Sequence, residues 1–128
     1  MRLVSLVFVL TLTIMMFHPI KAEAFECPNH FKRTRTGIVK AEKALKKMAR
    51  IHRVRRMMTS KEMADTKKMI IDAKTLLAEA IQHHENARTL TDHGLAIAKA
   101  DAARKYAEAA DLLHVKYMGM SKMKMKSK

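Results

Sequence analysis

The sequence is poor in the residues that build disulfide frameworks, tight turns and aromatic binding surfaces. Its 128 residues include no Trp, two Pro and three Gly, and aromatic residues make up only 5%. The single cysteine, Cys27, excludes an intramolecular disulfide. Because helix-breaking residues are rare and Ala, Lys and Met are abundant, the composition predicts an all-α protein.

Motifs that mark common catalytic sites are missing too. The sequence contains neither a glycine-rich phosphate loop nor the Gly-X-Ser-X-Gly pattern of a nucleophilic serine. Cys27 and His30 offer a thiol and a base, but nucleophilic catalysis also needs an enclosed site and an oxyanion donor. We therefore predict that the protein is not an enzyme.

The amino-terminal segment, Met1–Ala24, has the organisation of a secretory signal peptide. Arg2 provides a positive start, Leu3–Phe17 is a largely apolar run, and positions 22–24 read Ala-Glu-Ala, a small-residue cleavage pattern. The apolar run is shorter than the stretch of about 20 apolar residues that a membrane-spanning helix needs. We therefore expect cleavage after Ala24 rather than an uncleaved anchor, which predicts a periplasmic or secreted protein that begins at Phe25.

Positive charge is concentrated in two segments of this mature chain. Residues 25–128 hold 24 basic and 11 acidic residues, a net charge of +13. Eleven basic residues and one acidic residue lie in 32–56, and five lysines without an acidic residue lie in 116–128. The segment between them, 60–115, is nearly neutral. Such a distribution favours anionic partners.

The spacing of apolar residues predicts a helical domain over 36–117, between an irregular leader (25–35) and a flexible Met/Lys-rich tail (118–128). Thr36 is the expected cap of the first helix. Its apolar stripe consists of Ala41, Ala44, Met48, Ile51 and Met58.

Two further helices are predicted to form an antiparallel hairpin, which gives a three-helix bundle. The segment Thr59-Ser60-Lys61-Glu62 has the form of a capping box and predicts that the second helix begins at Ser60. A short turn follows, and Thr91 or Asp92 is the expected cap of a third helix that ends near Tyr117. The second helix carries an apolar stripe of Ile70, Ala73, Leu77, Ala80, Ile81, His84 and Ala87. The stripe expected on the third helix is Leu95, Ala98, Ala102, Tyr106, Ala109, Ala110, Leu113 and Tyr117.

Histidine and methionine suggest a metal-binding function, since imidazole and thioether groups bind borderline and soft ions such as copper. At the tip of the hairpin, Glu79 and His83 share a helical face, His84 lies beside them and His93 returns across the turn. A second candidate site combines His114 with Met118, Met120, Met123 and Met125. The leading hypothesis is an exported protein that captures or buffers copper or a similar transition metal. In the alternative interpretation, His84 is a core residue and mid-helix methionines fill the core.

The rival hypothesis is attachment to an anionic envelope component or polyanion, such as lipopolysaccharide, lipid headgroups or nucleic acid, through the basic first helix. The residues expected to carry it are Lys40, Lys43, Lys46, Lys47, Arg50, Arg53, Arg55 and Arg56. No aromatic residues interleave with these cations, so we expect no sequence-specific recognition of nucleic acid. A homo-oligomer through Cys27 or the first helix is a further possibility.

The hairpin sequence LLAEAIQHHENARTLTDHGLAIAKADAARKYAEAADLL resembles the small metal-binding proteins of the bacterial periplasm. The likeness covers Leu76–Leu113. It implies a short, secreted, antiparallel helical bundle that binds divalent copper and similar ions. It also implies metal-binding positions at His84 and His93, and at His83 and His114. The chain differs from that family in having fewer histidines, more Lys and Arg, and the Met-rich tail.

Overall fold

The computed structural model describes the backbone of residues 2–126, and the side chains of residues 26–120 except Arg53, together with Met123. The helices in chain order are α1 (Arg2–Arg50), α2 (His52–Met57), α3 (Ser60–Glu85) and α4 (Leu90–Lys126). No strand occurs within residues 2–126. The predicted all-α class and the hairpin of the second and third predicted helices, now α3 and α4, are confirmed.

Three helices, α1, α3 and α4, pack as a bundle whose inward residues follow a seven-residue repeat. Intervals of four and three residues alternate along each helix, which is the spacing of a coiled-coil seam. On α4 the fully or largely buried residues are Ala96, Ala100, Ala103, Ala107, Ala110 and Tyr117. On α3 they are Thr66, Ile70, Ala73, Leu77 and Ala80, and on α1 they are Cys27, Phe31, Thr34, Ile38, Ala41, Ala44 and Met48, of which Ala44 lies beside the repeat. The first helix therefore packs on the hairpin.

Contacts between facing side chains establish how the three helices are aligned. The Thr34 hydroxyl donates to the Ala100 carbonyl over 2.9 Å, and Cys27 contacts His93; both pairs are 66 residues apart in sequence. Helices α1 and α4 are therefore parallel, with a constant offset of 66 residues. Helix α3 is antiparallel to both, since His84 contacts His93 near the turn while the start of α3 reaches the far part of α4.

The buried side chains form two clusters along the bundle. The first extends along the alanine-rich seam and includes Cys27 and Phe31 at one end. The second lies at the opposite end and is rich in methionine. Its buried members are Met48, Val54, Met58 and Tyr117, and the partly buried side chains packed on it include Met57, Met63 and Met118. The two ends of the bundle thus differ in chemistry.

The predicted capping box at the start of α3 is confirmed. The Thr59 hydroxyl accepts from the Glu62 amide over 3.1 Å, and the Thr59 amide donates to the Glu62 carboxylate over 2.8 Å. The Tyr117 hydroxyl donates to the second carboxylate oxygen of Glu62. The Tyr117 and Thr59 bonds lower the pKa of Glu62, and the same bond to Glu62 raises the pKa of Tyr117. One carboxylate therefore ties the α3 cap to α4.

The predicted irregular leader is wrong, since residues 25–35 are part of α1. Cys27 and Phe31 continue the seven-residue repeat of this helix towards its amino end, and both are buried against the hairpin. Burial of apolar area stabilises helical structure that the local sequence alone does not indicate.

The first predicted helix, expected to continue to Met58, instead ends at Arg50. Ile51 has an extended conformation, with φ −84° and ψ 105°, and the short helix α2 follows. This break turns the chain so that Val54 and Met58 are both buried in the methionine-rich cluster. Burial of these two side chains favours the break over a straight helix.

The cap of α4 differs from the prediction of Thr91 or Asp92. The helix begins at Leu90, and Thr89 and Asp92 form a reciprocal pair: the Asp92 amide donates to the Thr89 hydroxyl, and the Thr89 amide donates to the Asp92 carboxylate. Hydrogen bonds to the carboxylate from the Arg88 amide, and then from Thr89, lower the pKa of Asp92.

Two further predictions about α4 are wrong. The helix continues to Lys126, so residues 118–126 of the predicted flexible tail are helical, and residues 127–128 lie outside the described residues. Part of the predicted apolar stripe faces outward, with 48% of Leu95 and 43% of Tyr106 exposed. Alanine occurs on both faces of α4. The buried face is the one on which small side chains allow α4 to approach α1 and α3 most closely. Among the described residues, no helix is long and apolar enough to cross a membrane.

Candidate metal centre

Three potential metal ligands meet at one end of the bundle. Cys27 lies on α1, His84 near the end of α3 and His93 in the first turn of α4. Each continues the inward seven-residue spacing of its helix, so the three side chains form one layer of the bundle. The cysteine sulfur and one nitrogen from each histidine all lie within 4.8 Å of one another.

The distances between these atoms match the bond angles of a tetrahedral or trigonal metal site. His84 Nδ1 and His93 Nδ1 are 3.3 Å apart, and Cys27 Sγ is 3.9 Å from His93 Nδ1. With metal–nitrogen bonds of about 2.05 Å and a metal–sulfur bond of about 2.3 Å, an ion between them would have N–metal–N and S–metal–N angles of roughly 107° and 127°. These two separations fit a single ion, and a His84 nitrogen lies within 4.8 Å of the Cys27 sulfur.

The surroundings of the cluster protect the sulfur and leave the imidazoles accessible. Cys27 is 0% exposed, whereas His84 and His93 are partly exposed. The Phe31 ring lies next to His84 in an edge-to-face arrangement, with the ring centroids 5.5 Å apart. An ion can therefore enter from the side of the imidazoles and bind a thiolate shielded from water.

The structure does not bring Glu79 and His83 into this layer. The Glu79 carboxylate accepts from the Lys99 ammonium over 2.6 Å, and this bond lowers the pKa of Glu79. His83 is exposed, and both residues line a surface cleft with Gln82 and Asn86. Consecutive residues of a helix point about 100° apart, so His83 and His84 lie on different faces of α3. Of the residues predicted at the hairpin tip, only His84 and His93 come together.

Cys27 is the potential ligand that the sequence patterns did not place in the site. The predicted irregular leader offers no reason to put its sulfur next to the hairpin. A signal is nevertheless present, because Cys27, Phe31, Thr34 and Ile38 are spaced at intervals of four, three and four along the chain. The complete burial of Cys27 also means that an intermolecular disulfide through it would require the bundle to open.

The residues of the second predicted site are distributed between core and surface. His114 is partly buried, and Met118 packs on the methionine-rich cluster. Met120 and Met123 are 42% and 75% exposed. The side chain of Met125 lies outside the described residues.

The predicted basic surface is exposed along α1 and α2. Lys40 forms an ion pair with Asp111 over 2.6 Å. The remaining described members are exposed, and none forms an ion pair within the described part of the chain: Lys43, Lys46, Lys47, Arg50, Arg55 and Arg56. The side chain of Arg53 lies outside the described residues.

Comparisons of the chain with models of protein families, with curated proteins and with solved structures give no match.

Proposed function

We propose that this protein captures or buffers a transition metal ion, copper or one similar to it, through Cys27, His84 and His93. The observation that carries the proposal is the meeting of one thiol and two imidazoles within 4.8 Å, on three different helices. The three residues lie on different helices, so no single helical turn brings them together. Their proximity is a product of the whole fold.

The ligand chemistry narrows the class of ion. One thiolate and two imidazoles suit copper and zinc, and the usual order of stability among divalent first-row ions places copper highest. The separations of the ligand atoms suit tetrahedral or trigonal coordination better than a square plane. Three protein ligands leave a position for water or for a group on a receiving molecule, which suits a carrier that must release its ion.

We also propose that the protein is exported and works without enzymatic activity. The organisation of residues 1–24 supports export. Pro28 adds a second argument, because it has no amide hydrogen with which to bond the carbonyl of Ala24. The hydrogen-bond ladder of α1 is therefore already interrupted where cleavage after Ala24 would create a new amino terminus.

The test is a calorimetric titration of the full chain with Cu(I) under reducing conditions and, separately, with Zn(II). We expect saturable binding at this layer and a loss of affinity of about 100-fold or more in His93→Ala, because a first ligand is removed. His83→Ala is the matched control, since this neighbouring histidine lies outside the layer; its affinity should remain within about threefold. Equal affinity of wild type and His93→Ala would overturn the proposal.

A second candidate function is attachment to anionic surfaces through α1 and α2. The favouring observation is that six exposed cations of these helices lack carboxylate partners among the described residues. Retention on vesicles containing anionic lipid should fall steeply with salt and with the combined change of Lys43, Lys46 and Lys47 to Gln. Lys40→Gln is the control, because Asp111 already compensates that charge. Equal retention of the triple variant and the control would exclude this function.

A further inference from the structure

The methionine-rich end of the bundle contains a second layer of potential metal ligands. Cys27 faces His93 and Thr34 faces Ala100, both with an offset of 66 residues, and the same register continued along α1 and α4 pairs Met48 with His114. On α3, Met63 lies three positions before the buried Thr66 and continues the inward spacing. Because α3 is antiparallel to the other two helices, Met63 faces the same layer. Met48 is 0% exposed, and Met63 packs on the cluster that contains it.

The side chain of His114 has a buried ring nitrogen that lacks a hydrogen-bond partner among the described residues. Its Nε2 has no hydrogen-bond partner among the described residues and is shielded from solvent. A buried polar atom without a partner is uncommon in native proteins and calls for an explanation, such as a bound ion. Half of the apolar side chains packed at this end of the bundle are thioethers, which are weak hydrogen-bond acceptors but good ligands for soft metal ions.

We propose that Met48, Met63 and His114 form a second metal site, selective for a soft monovalent ion such as Cu(I). Two thioethers and one neutral imidazole carry no negative charge. A divalent ion held by them in a buried layer would keep both its charges uncompensated, whereas a monovalent ion would keep one. This site is separate from the layer of Cys27, His84 and His93, and it does not require that layer to bind metal.

The test uses Ag(I), a soft monovalent probe that does not change oxidation state, in the full chain carrying Cys27→Ser. Removing the thiol leaves the second layer as the strongest soft site. We expect one Ag(I) to bind per chain and its affinity to fall at least tenfold when Met48 and Met63 are both changed to Leu, which keeps the core volume nearly constant. Met69→Leu is the control, because Met69 packs on the other cluster.

The last part of α4 carries an alternative set of thioethers. A third variant therefore replaces Met120, Met123 and Met125 by Leu. Loss of the Ag(I) equivalent in this variant, with retention in the Met48/Met63 variant, would overturn the proposal. The ring protons of His114 give an independent readout by NMR in the Cys27→Ser chain without core substitutions. We expect these signals to shift in proportion to bound Ag(I), and signals that stay in place at saturation would also overturn the proposal.

Discussion

The two end layers of the bundle have the same construction but different chemistry. Each contains a histidine of α4, and three seven-residue repeats separate His93 from His114. At one end, His93 faces a second imidazole and a thiol. At the other end, the helix register pairs His114 with Met48 and Met63, and its Nε2 has no partner among the described residues. The same heptad position on one helix therefore differs in its chemical environment because of the residues that face it.

Charge is the property that most separates the two layers. A thiolate at Cys27 can compensate part of the charge of a divalent ion, whereas Met48 and Met63 cannot. A bundle with a repeating seam can thus present two sites of different selectivity without a change of fold. Substitutions at one end, in the middle of the seam or at one cap test how independent the two ends are.

The largest expected effect follows from Cys27→Ser. Because the only anionic ligand is removed, we expect Zn(II) affinity at this end to fall about 100-fold or more. Cys27→Ser should remove the Ag(I) equivalent that the thiol binds, whereas the Ag(I) affinity of the layer of Met48, Met63 and His114 should change by less than about threefold. Calorimetry with each ion measures both quantities on one preparation. Loss of the Ag(I) equivalent at the layer of Met48, Met63 and His114 as well would show that the two ends are not independent.

Ala103→Leu should destabilise the packing of the whole bundle and so affect both ends. Ala103 is 0% exposed and lies in the middle of the α4 seam, so three additional carbon atoms must displace α1 or α3. We expect the free energy of unfolding to fall by about 1–3 kcal/mol, measured by urea denaturation. Ala98→Leu, on an exposed face of the same helix, should change it by no more than about 0.5 kcal/mol. Similar losses for the two variants would contradict the assignment of the seam.

The smallest expected effect concerns acid sensitivity at the caps. The pKa of Glu62 is lowered by its bonds to Tyr117 and Thr59. A lowered pKa in the folded state means stability that is present above the unfolded value and is lost as pH falls through the folded value. Glu62→Gln should remove this component of the acid-induced loss, as followed by urea denaturation between about pH 6 and pH 3.

Asp92→Asn provides the comparison at the end of the bundle that contains Cys27, His84 and His93. The pKa of Asp92 is lowered too, but its hydrogen bonds come from Arg88 and Thr89, within the same turn. We therefore expect a smaller change in acid sensitivity than for Glu62→Gln, which also severs a bond between α3 and α4. A larger effect of Asp92→Asn would show that the tertiary bond of Glu62 contributes little.

Local patterns in the sequence are sufficient to predict the hairpin and two of the three residues of the candidate metal centre. The start of α3 follows from Thr59 and Glu62, whose side chains bond to nearby backbone amides and depend on little else. His84 and His93 can be paired because a short turn between antiparallel helices brings their faces together. These features depend on contacts between residues close in sequence.

The features that local patterns do not predict depend on packing between distant segments. Cys27 joins the site only because α1 packs on the hairpin with an offset of 66 residues, which no local pattern specifies. The predicted seam of α4 is partly wrong because alanine supports either face, and the facing helices decide between them. The break at Ile51 likewise follows from the burial of Val54 and Met58 in the methionine-rich cluster.

The sequence separation between Cys27 and His93 also affects when an ion can bind. During synthesis the thiol is made first, and the second imidazole of its layer follows 66 residues later. A nascent or unfolded chain therefore offers single, weak ligands, and the full set exists only once α4 has packed against α1. Metal loading would follow folding, and global unfolding would release the ion. The lifetime of the folded bundle then sets an upper limit on how long an ion can stay bound.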